Sequence, residues 1–343
     1  MNIRTTTPQE TVTGHIVGPA EALMAHLLDH ALEHEMGYRA LGNGFEVEYD
    51  GSTARVALEG DRAVLRLAAS DAATLYVMQE MVVHLLEGSE GLAVWDEVRQ
   101  EGVMPPNLRL VQVVSVRQIS PGFRRVRVAG DIGRFDGTRI HFRLLLPPKG
   151  LEPQWPRVDA TGRARWPEGE HKLHNPVYTV RDIDIAAGWV EFDVFLHEGG
   201  RTSDWTETVQ PGDTVGIIGP GGSHMPLADW VALFADETGL PAMARALAAL
   251  PAGTTGTATV RLANAADRQE LAHPPGVTLT WLTRDDRTGL LEALDQMVLP
   301  EAAAGSRYVW FVAEEAEADA ARARLRALGL DRTEMQAAAY WTA

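Results

Sequence analysis

Val177-Tyr178-Thr179-Val180-Arg181 and, further on, Phe195-Leu196-His197-Glu198-Gly199-Gly200-Arg201-Thr202-Ser203-Asp204-Trp205 are the stretches whose reading decides the fold. The first is a strand of β-branched and aromatic residues. Tyr followed by Thr can lay a ring along a flat cofactor and offer a hydroxyl to its edge. Both are also ordinary strand residues. In the second stretch a strand ends, glycines turn the chain, and Thr202-Ser203 opens a short helix. Free backbone N–H groups at such a start suit a pyrophosphate, and Arg201 can add a charge-assisted bond. The plainer alternative is that Ser203 only caps the helix. Pro211-Gly212-Asp213 then makes a turn, and Gly219-Pro220-Gly221-Gly222 lets the backbone approach a neighbour closely.

Around these stretches, residues 110–119, 123–128, 140–146, 177–183, 189–197 and 214–218 alternate as strands. Their Gly and Pro turns predict an antiparallel β-barrel. A polar excursion, 147–176, interrupts them; its Trp155 and Trp166 either cover a ligand or pin the loop. From Trp230 onward strands alternate with helices, which predicts an α/β doubly wound sheet. A barrel followed by such a sheet is the plan of flavin reductases, in which two flat rings stack in a cleft between modules. The first ninety residues read as a small α+β domain of order β-α-β-β-β-α. The expected divisions are 1–90 for that domain, 91–107 for a linker, 108–226 for the FAD-type barrel and 227–343 for the nicotinamide-type α/β domain.

Composition narrows the chemistry. With no cysteine, thiolate metal sites, iron–sulfur clusters, disulfides and cysteine nucleophiles are excluded. A net charge of −16 argues against nucleic acid and anionic membrane as partners. No apolar run is long enough to span a bilayer, and residues 1–15 lack a secretion-signal core, so the expected location is cytoplasmic. Gly-x-Ser-x-Gly, Walker and His-Glu-x-x-His motifs are all missing. His26, His30 and His34 recur at helical spacing, but nothing supplies the remaining metal ligands, so a solvated face is expected and no metal. His171, Lys172 and His174, with Arg181 and Arg284, either form a basic patch that steers an anionic small molecule or belong to an ordinary mobile loop.

The order Tyr178-Thr179-Val180-Arg181, His197, Gly199, Ser203, Trp205, Pro211-Gly212-Asp213, Gly219-Pro220-Gly221-Gly222, Asp236-Glu237-Thr238-Gly239-Leu240-Pro241-Ala242, Trp281-Leu282-Thr283-Arg284 and Tyr340-Trp341 resembles the siderophore-interacting proteins, a branch of the ferredoxin-reductase-like flavoproteins. The resemblance runs from about residue 108 to 341, and the first ninety residues look like a small domain fused ahead of such reductases. It implies FAD in the barrel, NAD(P)H or a ferredoxin as donor, and a ferric siderophore as acceptor. It places Tyr178 and Thr179 (the catalytic pair) with Val180 beside the isoalloxazine. His197, Gly199, Thr202, Ser203 and Trp205 fall at the pyrophosphate. Asp236, Thr238 and Pro241, with Tyr340 and Trp341, fall on the nicotinamide side. Lys172, Arg181 and Arg284 are the expected substrate cations.

Three positions depart from the family pattern. Pro176 stands where the family has an Arg for the FAD phosphate and can supply neither charge nor backbone donor. Glu314 replaces a Gly beside the nicotinamide nucleotide, and Ala235 replaces another Gly. These departures leave two alternatives to a ferric-siderophore reductase. One is a repurposed enzyme of specialised metabolism that catalyses a non-redox cyclisation or isomerisation in the same cleft. The other is a non-catalytic binder of flavin or siderophore.

Overall fold

The computed structural model describes residues 10–33, 36–49, 51–97, 100–225, 227–301 and 305–342. The chain divides into two compact units, Met1–Leu108 with Pro147–Leu173, and Arg109–Leu146 with His174–Ala343.

In the first unit, β1 (Glu10–Val17), α1 (Ala20–Glu33), β2 (Tyr38–Leu41), β3 (Gly44–Tyr49), β4 (Ser52–Glu59), β5 (Arg62–Ala69), α2 (Ala72–Leu86) and β6 (Leu92–Trp95) follow one another. They build a six-stranded sheet of order β2-β3-β4-β5-β1-β6. Every pairing is antiparallel. Leu23 and Leu27 of α1 and Leu75, Val82 and Leu86 of α2 bury against Val12, Val56, Leu65 and Leu67 of the sheet. The Asp71 carboxylate starts α2 by accepting from the N–H groups of Ala73 and Thr74, both at 2.9 Å.

This sheet has two more strands than the sequence reading. β2 is short, exposed and flanked by Gly37 and Gly42. β6 lies inside the stretch expected to be a linker. It reaches β1 because Gly14 carries no side chain; a Cβ there would meet the Val94 carbonyl at 2.5 Å.

The polar excursion also differs from expectation, because residues 147–173 pack with this first unit. Its short strands β10 (Arg157–Val158) and β11 (Ala164–Arg165) pair with each other. Val158 exchanges backbone bonds with Gly102 and Val103 at 2.8 Å, and Arg163 meets Glu87 at 2.6 Å. The Asp159 carboxylate accepts from Thr161, Arg163 and Arg165, bonds that hold it well below the usual carboxylate range.

In the second unit, β7 (Leu108–Ser120, which the division cuts just after its first residue), β8 (Phe123–Ala129), β9 (Arg139–Leu145), β12 (Val177–Thr179), β13 (Asp182–Asp184), β14 (Trp189–Phe195), α3 (Arg201–Thr208) and β15 (Thr214–His224) form the first layer. The sheet order is β12-β9-β15-β7-β8-β14-β13, seven strands. The expected strand 177–183 is broken at Val180 and Arg181. Val180 N–H donates to Ile140 at 2.7 Å and Arg181 N–H to Glu191 at 2.8 Å, so two residues carry the chain from one edge of the sheet to the other. Val126, Val128, Phe142, Leu144, Phe192 and Val194 pack together on one face of the sheet. The opposite face of β8 and β14 carries charge. Arg125 grips Asp193 with two bonds of 2.5 and 2.7 Å, and Arg127 meets Glu191 at 2.8 Å while lying 4.0 Å over the Trp189 ring.

The α/β layer contains β16 (Trp230–Ala235), α4 (Leu240–Ala249), β17 (Thr255–Leu262), β18 (Gly276–Thr283), α5 (Leu290–Asp295), β19 (Arg307–Glu314), α6 (Glu315–Ala327) and β20 (Met335–Trp341). Its strands are all parallel, in the order β18-β17-β16-β19-β20. The order reverses at β16, so the crevice outside the carboxyl ends of β16 and β19 is the expected ligand position in such a sheet. Phe123 and Ile140 share a core with Leu233, Leu240 and Val260, and Gly122 N–H donates to Asp267 at 2.6 Å, which ties the antiparallel sheet to this layer.

Candidate functional site

β12 pairs with β9 so that Tyr178 faces Phe142 and Thr179 faces His141. The Tyr178 ring lies 5.2 Å from Phe192 and 6.5 Å from Phe142. Burial raises its hydroxyl pKa to about 12, opposed in part by a hydrogen bond with Thr202. Tyr178 therefore points toward the start of α3. Thr179 alternates to the other face, where its Oγ1 lies 3.3 Å from His141 Nδ1. Val180 is fully buried.

Helix α3 begins at Arg201 with Gly200 as its N-cap and no side-chain cap. The first N–H groups of a helix have no intrahelical partner, so those of Arg201, Thr202 and Ser203 are donors in search of an acceptor. Gly199 turns the chain with φ +73°, and a Cβ on Gly200 would meet His197 Nε2 and Ser203 Oγ, each at 2.7 Å. Ser203 does not cap in the usual sense; its Oγ accepts from His197 N–H at 3.2 Å. His174 Nε2 lies 3.1 Å from Thr202 Oγ1, and its pKa is lowered by burial and by the charge of Arg201. Trp205 packs against the apolar core of the sheet.

Tested against FAD, these residues fit. A glycine cradle with uncapped helical donors suits a pyrophosphate, and a Tyr-Thr pair on the adjacent strand suits a flat ring. The fit lacks one cation. Pro176 uses its carbonyl to accept from Leu144 N–H at 2.9 Å and offers nothing else. The guanidinium beside this segment belongs to Arg143, which is cross-strand from Val177 and bonded to the Asn175 carbonyl at 3.3 Å.

At the carboxyl end of β16, Asp236 is wholly buried and committed to its own loop. It accepts from Thr238 N–H at 2.9 Å, Thr238 Oγ1 at 2.6 Å, Gly239 N–H at 3.2 Å and Trp341 Nε1 at 2.7 Å. Pro241 sits in the first turn of α4, where its missing N–H costs nothing. A Cβ on Gly239 would press on Val312 at 2.5 Å and on the Ala235 methyl at 3.0 Å, so the turn needs glycine at 239. The nearby cations are also engaged: Arg284 with Glu237 at 2.5 Å and Arg261 with Glu317 through two bonds of 2.6 Å. Glu314 caps α6 by accepting from Ala316 N–H at 2.7 Å, which puts an internal carboxylate at that helix start.

The expected basic patch draws its members from both units. Lys172 and His171 belong to the first unit, Arg181 and Arg284 to the second. Arg181 lies 3.8 Å from Asp193, and burial lowers its pKa. Of the His ladder, His26 bonds the Leu85 carbonyl at 2.9 Å, and His34 lies outside the described residues. His141 is the residue that sequence reading missed. Its Nε2 is 3.1 Å from the Tyr340 hydroxyl and the two rings meet edge to face at 5.5 Å. Strand alternation alone marked that position, and alternation does not say what lies opposite.

Two family models and several known proteins match this chain. The family model of the siderophore-interacting FAD-binding domain matches residues 112–224, and that of the siderophore-interacting protein matches 228–343. The chain is 30% identical to the NADPH-dependent ferric-chelate reductase of Escherichia coli (strain K12) over 246 residues, 68% of this chain and 93% of that protein. It is 28% identical to the ferric vibriobactin reductase ViuB of Vibrio cholerae over 57% of this chain and 74% of that one. A siderophore utilization protein from T. fusca superposes with a TM-score of 0.61 at 35% identity, covering 71% of this chain and 95% of that structure.

Proposed function

Since this chain belongs to the siderophore-interacting protein family and carries its FAD-binding domain, we propose that it is an FAD-dependent ferric-siderophore reductase. The observation that carries the reading is the uncapped start of α3 beside Tyr178 and Thr179. When bound, FAD supplies single electrons to ferric iron, and hard oxygen ligands release the resulting Fe(II).

Each residue has a role in this reading. The N–H groups of residues 201–203 hold the pyrophosphate, and Gly199 and Gly200 let it come close. Tyr178 orients the ribityl side through Thr202, and Thr179 presents its hydroxyl to the ring. Arg143 contributes the charge that Pro176 lacks. Val180, His197 and Trp205 shape the pocket wall. Asp236, Thr238, Pro241, Tyr340 and Trp341 form the wall at the carboxyl end of the parallel sheet. Arg181 and Arg284 serve the substrate only through what their carboxylate partners leave of their charge, and Lys172 is the third candidate cation.

The donor is either a reduced nicotinamide or a ferredoxin. The internal carboxylate of Glu314 and the ion-paired Arg261 and Arg284 disfavour a phosphate-bearing nucleotide at this sheet edge. The test is reduction of a ferric hydroxamate by the flavin-loaded protein, with Fe(II) trapped by a coloured chelator and each donor supplied in turn. Trapped Fe(II) that depends on added FAD supports the proposal. FAD binding without iron reduction under any donor identifies a non-catalytic binder instead. The loss of the phosphate cation at Pro176 favours a repurposed non-redox scaffold as the second reading, and absence of FAD binding would point there.

A further inference from the structure

We propose that His141 is a positioning residue that links Tyr340 to Thr179 and fixes the Thr179 hydroxyl as a hydrogen-bond donor toward the ring it flanks. This rests on the reading that FAD lies along β12.

The argument follows the protons. Tyr340 is half-buried, and desolvation together with the Asp236 charge pushes its pKa up, so its hydroxyl keeps its proton. An O–H drawn partly out of water gains by donating to an acceptor in reach. The acceptor within reach among the described residues is His141 Nε2 at 3.1 Å. Trp341 cannot accept; its indole N–H already donates to Asp236. Tyr340 therefore donates to Nε2, which must be bare. His141 is neutral, since burial lowers its pKa to about 4. A neutral imidazole with bare Nε2 carries its proton on Nδ1. That proton points at Thr179 Oγ1, 3.3 Å away, which accepts it. The O–H of Thr179 is then unused by His141 and free to donate outward.

The surroundings hold the imidazole in that pose. β9 carries it opposite Thr179, the Tyr340 ring meets it edge to face, and a Cβ on Gly222 would meet its Cδ2 at 2.6 Å. Tyr340 is braced in turn by Trp310, at 6.4 Å between rings. Three strands distant in sequence thus set the direction of one hydroxyl.

The test needs no iron chemistry. The full chain labelled with nitrogen-15 histidine, without FAD and near pH 7, reports the tautomer by NMR, with His141→Gln assigning the signal. The Nδ1–H form is expected; an Nε2–H form or an imidazolium overturns the proposal. FAD affinity is then measured by fluorescence quenching for Thr179→Val, Tyr340→Phe and the double variant. Loss of one neutral hydrogen bond corresponds to a weakening of about three- to tenfold for each single variant. The double variant is expected to be no weaker than Thr179→Val alone, because both act through one hydroxyl. Additive losses overturn the proposal, as does a Tyr340→Phe protein with unchanged affinity. The tautomer result stands apart from the flavin reading: a correct tautomer without FAD binding contradicts the proposed function, and a wrong tautomer with FAD binding contradicts only the role of His141.

Discussion

Trp341 donates its indole N–H to Asp236 Oδ2 at 2.7 Å, which ties the last strand to the turn between β16 and α4. Asp236 is wholly buried, and this bond and three others satisfy its carboxylate. Trp341→Phe leaves one oxygen short of a donor, and its expected cost is about 1–3 kcal/mol in a urea unfolding curve. Asp236→Ala frees four donors together and is expected to cost more. Equal stability of all three proteins would contradict this account of the turn.

Pro176→Arg restores a cation and a backbone donor beside the start of α3. A charge-assisted bond to phosphate is worth about 1.5–3 kcal/mol when well placed, and partial exposure reduces it. FAD binding is expected to tighten about tenfold, read by fluorescence titration. Arg143→Ala is expected to weaken FAD binding in the parent chain and less in the Pro176→Arg background.

Glu314→Gly removes the carboxylate that caps α6 by accepting from Ala316 N–H. Glycine is tolerated at such a cap for a few tenths of a kcal/mol, so stability is expected to hold. The helix start then becomes free for a phosphate, and the KM for NADPH is expected to fall several-fold while kcat changes little. An unchanged KM would mean that the nucleotide does not approach this helix.

His141 predicts a pH effect of definite sign. Its pKa is lowered from about 6.5 to about 4 by burial, so between those values the unfolded chain binds a proton that the native state does not. The stability gained from keeping the ring neutral is complete above pH 6.5 and is lost as pH falls toward 4. A shift of that size corresponds to up to about 3 kcal/mol. Its nearest polar neighbours, Thr179 and Tyr340, carry no charge in this range. Urea midpoints measured from pH 4 to 7 are expected to flatten in His141→Gln. A variant curve as steep as the parent's would contradict the assignment.

Much of this architecture was readable in the residues themselves. Alternation in 110–119 and 123–128 marked β7 and β8, and the sequence of helices and strands after Trp230 marked the parallel sheet. The glycines at 199 and 200 pointed to the α3 cradle. What stayed hidden depends on partners distant in sequence. Val180 and Arg181 read as ordinary strand residues, and only their bonds to Ile140 and Glu191 show the strand breaking there. Residues 147–173 gave no sign that Val158 would join Gly102 and Val103. Arg181 and Arg284 looked like free cations because a sequence does not show the carboxylates of Asp193 and Glu237 facing them. His141 carried no motif, and its meaning comes from a tyrosine in the last strand.

The central claim is tested most directly by the visible absorption spectrum of the purified full chain, before and after FAD is added. The account predicts flavin bands that survive removal of free FAD, bleach on chemical reduction and return when a ferric hydroxamate is supplied. A colourless protein that leaves added FAD unbound would contradict it.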